Sequence, residues 1–173
     1  GEIWNRRKNG EVFPEAITIT TVKNEAGEPT HYVANFIDIS ARKSAEDAIK
    51  TLAFFDPLTK LPNRRMLLDR LQQLLASSQR HQRLGALLFV DLDNFKTLND
   101  TRGHHQGDLL LEQVAQRLNA CVRVGDTVAR LGGDEFVVML DDLSEDALEA
   151  ANQAEMVGEK VLHALNEDYM LTG

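Results

Sequence analysis

The sequence predicts an α/β (α+β) protein in which helices pack on the faces of a mixed sheet, preceded by a small antiparallel half-sheet and a connecting helix. Two observations predict this class. After residue 52, helix-like and strand-like segments follow in the order helix, strand, helix, strand, strand, helix, strand. Residues 1–39 instead contain three strand-like runs separated by turn signals. We therefore divide the chain into residues 1–39, a helix over 40–55, and residues 56–173.

The first part is predicted to form three antiparallel strands over residues 2–8, 11–22 and 31–39. Asn9-Gly10 is a strong turn signal between the first two. Pro14 lacks a backbone N–H, so it predicts an edge strand or a bulge.

The helix over 40–55 is predicted to begin at Ser40, whose hydroxyl can accept a free N–H of the first turn. Its apolar face contains mainly Ala, Ile and Leu. The face either pairs with a second copy of the helix or packs on its own domain, and the sequence does not separate these alternatives.

The second part contains a nearly continuous apolar run over 85–91, which is typical of a strand covered on both faces. Asp56-Pro57 ends the preceding helix. The other predicted elements are, in chain order, a helix over 63–77 with Met66, Leu67, Leu71, Leu74 and Leu75 buried, a polar connector over 79–83, a helix over 107–124, hairpin strands over 127–131 and 136–140, a helix over 142–165 and a last strand over 169–173.

The hairpin carries an acidic pair. Two apolar runs flank Gly132-Gly133, and glycines accept the positive φ angles of a two-residue loop. Asp134 and Glu135 follow directly. Carboxylates at a rigid hairpin tip suit a hard divalent cation or a phosphate-chemistry site, while a solvated acidic turn is the alternative.

Composition limits the partners. The formal net charge is −8, so no basic surface is indicated and nucleic acid is not an expected partner. No apolar run approaches the roughly 20 residues of a membrane span, so no membrane contact is expected within the chain. The chain has one cysteine, Cys121, which we expect to be a buried small hydrophobic residue. A single cysteine cannot form an internal disulfide, which is compatible with a reducing cytoplasm, and the parent protein could still be membrane-anchored. The chain begins with Gly1 inside a strand-like pattern, which we interpret as a fragment.

Separated motifs resemble the GGDEF family of diguanylate cyclases over about residues 52–173. They are Asp56-Pro57-Leu58-Thr59, Leu61-Pro62-Asn63-Arg64, Asp91-Leu92-Asp93-Asn94-Phe95-Lys96, Asn99-Asp100, Gly103-His104 with Gly107-Asp108, Arg123-Val124-Gly125-Asp126, and Gly132-Gly133-Asp134-Glu135-Phe136. The resemblance implies a fold like the palm of nucleotidyl cyclases and polymerases. Residues 4–11 and 36–40 resemble the C-terminal sheet of a PAS sensor domain, and the helix over 40–55 then resembles a sensor-to-cyclase linker.

The resemblance implies a metal and catalytic set. Asp91, Asp134 and the Leu92 carbonyl are the implied ligands of Mg²⁺ or Mn²⁺. Glu135 is the implied base for the attacking 3′-hydroxyl, although the division of labour between the two acids stays open. Lys96 is a cation close to the phosphates and suits stabilisation of developing charge.

The resemblance also implies two nucleotide contacts. Asn99 and Asp108 match the pair that reads guanine, whose edge carries both donors and acceptors; read alone, they are a turn residue and a helix N-cap. His104 either touches the ribose or packs. Arg123 and Asp126 match an R-x-x-D product-inhibition site, where an arginine fork and a carboxylate bind cyclic di-GMP.

The implied function is the condensation of two GTP molecules, one held by each subunit of a homodimer, into cyclic di-GMP and pyrophosphate under PAS control. The alternative is a catalytically silent module that binds GTP or cyclic di-GMP and acts on a neighbour such as an EAL-type phosphodiesterase. In the family, basic phosphate contacts and the last strands follow the position of residue 173, so we expect an incomplete domain, which favours an inactive chain.

Overall fold

A computed structural model describes residues 1–171, which form two units, residues 1–51 and residues 52–171. The predicted α/β class, with helices on a sheet after a small antiparallel sheet, is confirmed. No helix within residues 1–171 combines the length and the hydropathy needed to cross a membrane.

The first unit contains one antiparallel sheet. Its strands are β1 (Glu2–Arg6), β2 (Val12–Lys23) and β3 (Pro29–Asp38), in the order β1-β2-β3. The turn at Asn9-Gly10 forms as predicted, because Gly10 adopts a φ of 91° and donates its N–H to the Arg7 carbonyl at 3.0 Å.

Pro14 was expected on an edge strand or at a bulge, and this prediction is wrong. It lies in the central strand β2, opposite Trp4 of β1. The pairing of β2 with β3 begins at Glu15, opposite Asp38, and the Pro14 carbonyl accepts the Ile39 N–H at 3.1 Å just beyond that pair. The missing N–H of Pro14 therefore falls past the end of the β2–β3 ladder and removes no strand–strand hydrogen bond.

Helix α1 (Ser40–Phe54) begins at the predicted residue but is not capped by Ser40. The Asp38 carboxylate accepts the Ser40 N–H at 2.9 Å. Hydrogen bonds from Ser40, and then from the Arg7 guanidinium, lower the pKa of Asp38 to about 2. The carboxylate thus joins the last residue of β3 to the first turn of the helix. None of the α1 residues is buried.

The second unit has helices on both faces of a sheet that is antiparallel throughout the described residues, where a mixed sheet was predicted. Its elements are α2 (Arg64–His81), β4 (Leu84–Asp91), α3 (Phe95–Arg102), α4 (His104–Cys121), β5 (Thr127–Gly132), β6 (Glu135–Leu143) and α5 (Ala147–Leu165). The strands follow the order β4-β6-β5. Residues of α4 and α5 pack on one face of the sheet around Phe136, while α2 covers Val137 and Met139 on the other.

Three predictions about the first half of this unit are wrong. Helix α2 continues through residues 79–81 of the predicted connector and ends at His81, just before Gln82, whose φ is 55°. Leu75 is 53% exposed rather than buried. Strand β4 is not covered on both faces, because Phe89 is 75% exposed. The reason is positional: β4 lies at the edge of the described sheet, and α2 packs on residues of β5 and β6.

The second half differs at its helix boundaries. Helix α4 begins at His104 rather than 107. The helix predicted over 142–165 begins at Ala147, because β6 continues to Leu143 and the Asp146 carboxylate caps α5 by accepting the Glu149 N–H at 2.9 Å. Of the strand predicted over 169–173, residues 169–171 are not in a strand and 172–173 lie outside the described residues. Cys121 is buried, as predicted.

Candidate active site

The hairpin loop consists of Gly133 and Asp134, not of the two glycines as predicted. Gly132 still pairs with Glu135 and therefore belongs to β5. Gly132 and Gly133 adopt φ angles of 145° and 54°, a region that favours glycine. Asp134 is consequently presented by the loop itself, and Glu135 is the first residue of β6.

The sheet register gathers the predicted acids at one end of the sheet. Asp91 is the last residue of β4 and lies directly opposite Glu135 in the β4–β6 ladder. The Cα atoms of directly opposed antiparallel residues are about 4.5–5.5 Å apart. Asp91 and Glu135 are exposed and Asp134 is partly buried, so this end of the sheet is an open acidic surface.

The oxygen donors at this end suit a hard divalent cation. Mg²⁺ takes oxygen ligands and is commonly held by one or two carboxylates. Asp91 and Asp134 supply these, and the Leu92 carbonyl accepts only a long bond from the Phe95 N–H at 3.4 Å. Within residues 1–171, no group of three or more His, Cys, Asp or Glu side chains is placed to hold a metal ion. The predicted set therefore depends on two carboxylates and one backbone oxygen.

Helix α3 was not predicted, and it begins next to the acids. Its eight residues offer too short a periodic pattern, and the only start signal is Asp93-Asn94. Asn94 precedes the helix with a φ of 60° and makes no capping hydrogen bond with its side chain. N–H groups of a first helical turn attract phosphate. Lys96, exposed in that first turn, adds a positive charge at the same place.

The two predicted guanine-reading residues lie on neighbouring helices. Asn99 belongs to α3, not to a turn, and Asp108 lies within α4 rather than at its cap, which is Gly103. A Cβ atom on Gly107 would stand 2.0 Å from Asn99 Oδ1, so only glycine permits this approach. Asn99 therefore packs against the residue that precedes Asp108. Asn99 Oδ1 is buried without a hydrogen-bond partner, and His104 is exposed at the start of α4.

Arg130 is a residue that sequence reasoning missed. Its Nε and Nη2 donate to the Gly133 carbonyl at 3.0 and 2.7 Å, and its Nη1 donates to Asp56 Oδ1 at 3.0 Å. The Thr59 N–H and hydroxyl donate to the same carboxylate oxygen at 2.8 and 2.7 Å. Burial raises the pKa of Asp56, but the hydrogen bonds from Thr59 and Arg130 together lower it by more. The pKa of Asp56 therefore lies below its ordinary value. The only sequence signal was the Asp56–Thr59 motif, whose partner lies far along the chain.

Arg123 and Asp126 lie at the opposite end of β5 from the hairpin loop. The strand has six residues, which at about 3.3 Å per residue separate its ends by roughly 16 Å. The Asp126 side chain is only 4% exposed and accepts the Arg123 and Asp141 N–H groups at 3.0 and 3.2 Å. The Arg123 side chain is 59% exposed and donates to the Asp141 carbonyl at 2.6 Å. Asp126 therefore orders this turn, and Arg123 is its accessible member.

A family described as "Diguanylate cyclase, GGDEF domain" matches residues 53–170. The chain belongs to this family. The matched range contains the acidic end of the sheet, both guanine-reading candidates and the Arg123–Asp126 turn.

Similar proteins support the same assignment. The bifunctional diguanylate cyclase/cyclic di-GMP phosphodiesterase MucR of Pseudomonas aeruginosa is 49% identical over 121 residues, which cover 70% of this chain and 17% of MucR. The chain spans a third or less of the first curated relatives it matches. The solved GGDEF domain of TpbB (YfiN) from P. aeruginosa is 38% identical, with a TM-score of 0.59 over 64% of this chain and 61% of that one. The coiled coil and GGDEF domain of DgcB from Caulobacter crescentus, solved in complex with c-di-GMP, is 27% identical, with a TM-score of 0.59 over 69% of this chain and 61% of that one.

Proposed function

We propose that this GGDEF domain condenses two GTP molecules into cyclic di-GMP and pyrophosphate. The observation that carries the proposal is the strand register, which sets Asp91 opposite Glu135 with Asp134 in the adjoining loop. The family membership and the cyclase activity in the name of MucR support it. Phosphoryl transfer requires positioning and charge stabilisation more than covalent help, which this arrangement can provide.

Each residue near the acidic end has a proposed role. Asp91, Asp134 and the Leu92 carbonyl would hold Mg²⁺ or Mn²⁺, which when bound neutralises phosphate charge. Glu135 accepts the proton of the 3′-hydroxyl, and Lys96 donates to the phosphates. His104 is exposed, which favours contact with the ribose over packing. Because Asp91 and Glu135 are exposed, a second nucleotide held by another subunit can approach, as a homodimeric reaction requires.

The direct test uses the parent protein, with the 173-residue chain alongside, supplied with GTP and Mg²⁺ or Mn²⁺ and followed by chromatography and mass analysis of the products. Formation of cyclic di-GMP supports the cyclase. The cyclic di-GMP phosphodiesterase PdeR of Escherichia coli is 37% identical over 113 residues and is named for phosphodiesterase activity alone, which favours a second candidate: a silent nucleotide-binding domain that regulates a phosphodiesterase of the EAL type. GTP or cyclic di-GMP binding without turnover supports that candidate, and absence of both binding and turnover contradicts both.

We also propose that residues 1–39 belong to the C-terminal sheet of a PAS domain, that 40–55 are its signalling linker, and that the residues from 56 onward belong to the GGDEF domain. The support is a three-stranded antiparallel sheet followed by α1, together with the family match from residue 53. Control of the cyclase by this sensor is part of the proposal.

Asn99→Ala is expected to weaken GTP binding and to relax the preference for GTP over ATP. In this variant the guanine N–H that would donate to Asn99 Oδ1 is left without an acceptor, which costs about 1–3 kcal/mol of binding free energy. Calorimetric titration of both nucleotides measures the effect, and Asp108→Ala should behave alike. Asn152→Ala, at an exposed amide of α5, is the control. Unchanged GTP affinity in both site variants would place the guanine pocket elsewhere.

Arg123→Ala is expected to reduce cyclic di-GMP affinity by roughly 1.5–3 kcal/mol, the scale of hydrogen bonds to a charged group. Because Arg123 and the acidic end occupy opposite ends of β5, initial turnover should stay near wild type while product inhibition disappears. Calorimetry with cyclic di-GMP and progress curves give the two readouts, and Arg6→Ala is an exposed arginine control. A variant that keeps wild-type product affinity would show that the R-x-x-D turn is purely structural.

A further inference from the structure

Helix α2 begins with two arginines in its first turn, Arg64 and Arg65, and has no acidic residue there. The N-terminus of a helix carries partial positive charge, so cations in its first turn oppose the helix dipole. None of the ion pairs of the described residues involves either arginine. The positive charge of this turn is therefore not explained by the stability of α2.

The two arginines line an open groove beside the hairpin. The groove has a volume of about 700 Å³ and is lined by Phe54, Asn63, Arg64, Arg65, Leu68, Asp69, Gln72 and Leu131. The Arg65 guanidinium lies 5.0 Å from the Phe54 ring centre, and Leu68 is 53% exposed. Its one carboxylate, Asp69, accepts a hydrogen bond from Gln73 at 2.9 Å. The groove thus combines three apolar side chains with a net positive charge.

The groove is connected to the acidic hairpin end through strand β5. The Arg130 N–H donates to the Pro62 carbonyl at 2.9 Å, which fastens β5 to the segment just before α2. Leu131, in the groove wall, lies two residues before the Gly133-Asp134 loop. The Arg130 guanidinium already binds Asp56 and the Gly133 carbonyl, so it is not available to pair with a carboxylate of a second copy of the chain.

We propose that this groove is a docking surface for a second copy of the chain, in which Arg64 and Arg65 of one copy face the acidic hairpin end of the other. The inference rests on the proposed function, which needs two hairpin ends to face each other. Facing carboxylates and bound triphosphates repel one another, and a two-fold interface allows the same patch to supply the opposite charge on both sides. With a net charge of −8, two copies repel one another overall, and a local basic groove opposes this repulsion.

The test is self-association of the full chain by sedimentation, at low salt with Mg²⁺ and GTP. The paired change Arg64→Gln with Arg65→Gln is expected to weaken dimer formation at least ~10-fold, the effect of losing close charge pairs across an interface. Arg64→Lys with Arg65→Lys should retain dimer formation, and Arg80→Gln, at the other end of the same helix, is the matched control. Dimer formation should also weaken with salt in the wild type and less so in the Gln variant.

GTP binding separates this inference from the function it rests on. Calorimetry should show equal GTP affinity in the wild type and in the paired Gln variant, because the groove is not the nucleotide site. If the wild type binds GTP and the paired Gln variant dimerises as strongly as the wild type, the docking surface alone is overturned. A wild type that stays monomeric with saturating GTP overturns the docking surface, and one that binds no GTP contradicts the proposed function.

Discussion

Glu135→Gln is expected to lower the rate of cyclic di-GMP formation at least ~100-fold, the usual scale for loss of a positioned base or of charge at a reacting centre. Glutamine keeps the size of the side chain and removes its charge. The residue is exposed in the first position of β6, so the fold should not depend on it. Initial rates with GTP and Mg²⁺, compared at equal folded concentration, measure the effect.

The control is Glu145→Gln, an exposed carboxylate after β6 whose loss should leave the rate unchanged. GTP affinity should change far less than turnover in Glu135→Gln, since the proposed role is proton acceptance rather than binding. If Glu135→Gln forms cyclic di-GMP at the wild-type rate, Glu135 is not the base. Asp91 and Asp134 would then be the acids to examine.

Arg130→Met is expected to destabilise the second unit by roughly 1.5–3 kcal/mol, because the partly buried Asp56 carboxylate loses its charged partner and keeps only the two hydrogen bonds from Thr59. The Arg130 and Asp56 side chains are only 11% and 17% exposed. The free energy of unfolding in urea measures the loss. Turnover should fall as well, since the Gly133 carbonyl loses both of its guanidinium donors and the loop that presents Asp134 is released.

Arg83→Met is the matched control for this effect. Arg83 also binds a carboxylate and a carbonyl, both from Asp142, but the two side chains are 41% and 71% exposed. Such a surface pair contributes about 0–1 kcal/mol. Equal losses for Arg83→Met and Arg130→Met would contradict the assigned role of the partly buried Arg130–Asp56 pair.

The effect of Arg130→Met should also depend on pH. The pKa of Asp56 is depressed in the folded chain, so its stabilisation is complete above the ordinary carboxyl pKa of about 4 and is lost as the pH falls through the depressed value. The stability difference between the wild type and Arg130→Met should therefore narrow in acid.

Much of the site was readable from the sequence because its motifs are local. The hairpin, the acids that follow its glycines and the apolar strand that ends at Asp91 are signalled by periodicity and turn chemistry over a few residues. That Asp91 lies near Asp134 at the hairpin tip was expected only through resemblance, and the register sets Asp91 opposite Glu135, next to Asp134. The chemical roles of these residues stay predictions.

The sequence by itself determined the class of the fold, the order of most elements and the acidic hairpin, because burial periodicity and turn residues are recorded locally. The tertiary structure alone decided that Phe89 is exposed at an edge, that α3 forms, and that Arg130 reaches Asp56 across 74 positions. These features depend on which elements pack together. A contact between distant residues leaves no pattern in either segment, since each side chain is compatible with many partners until the sheet register selects one.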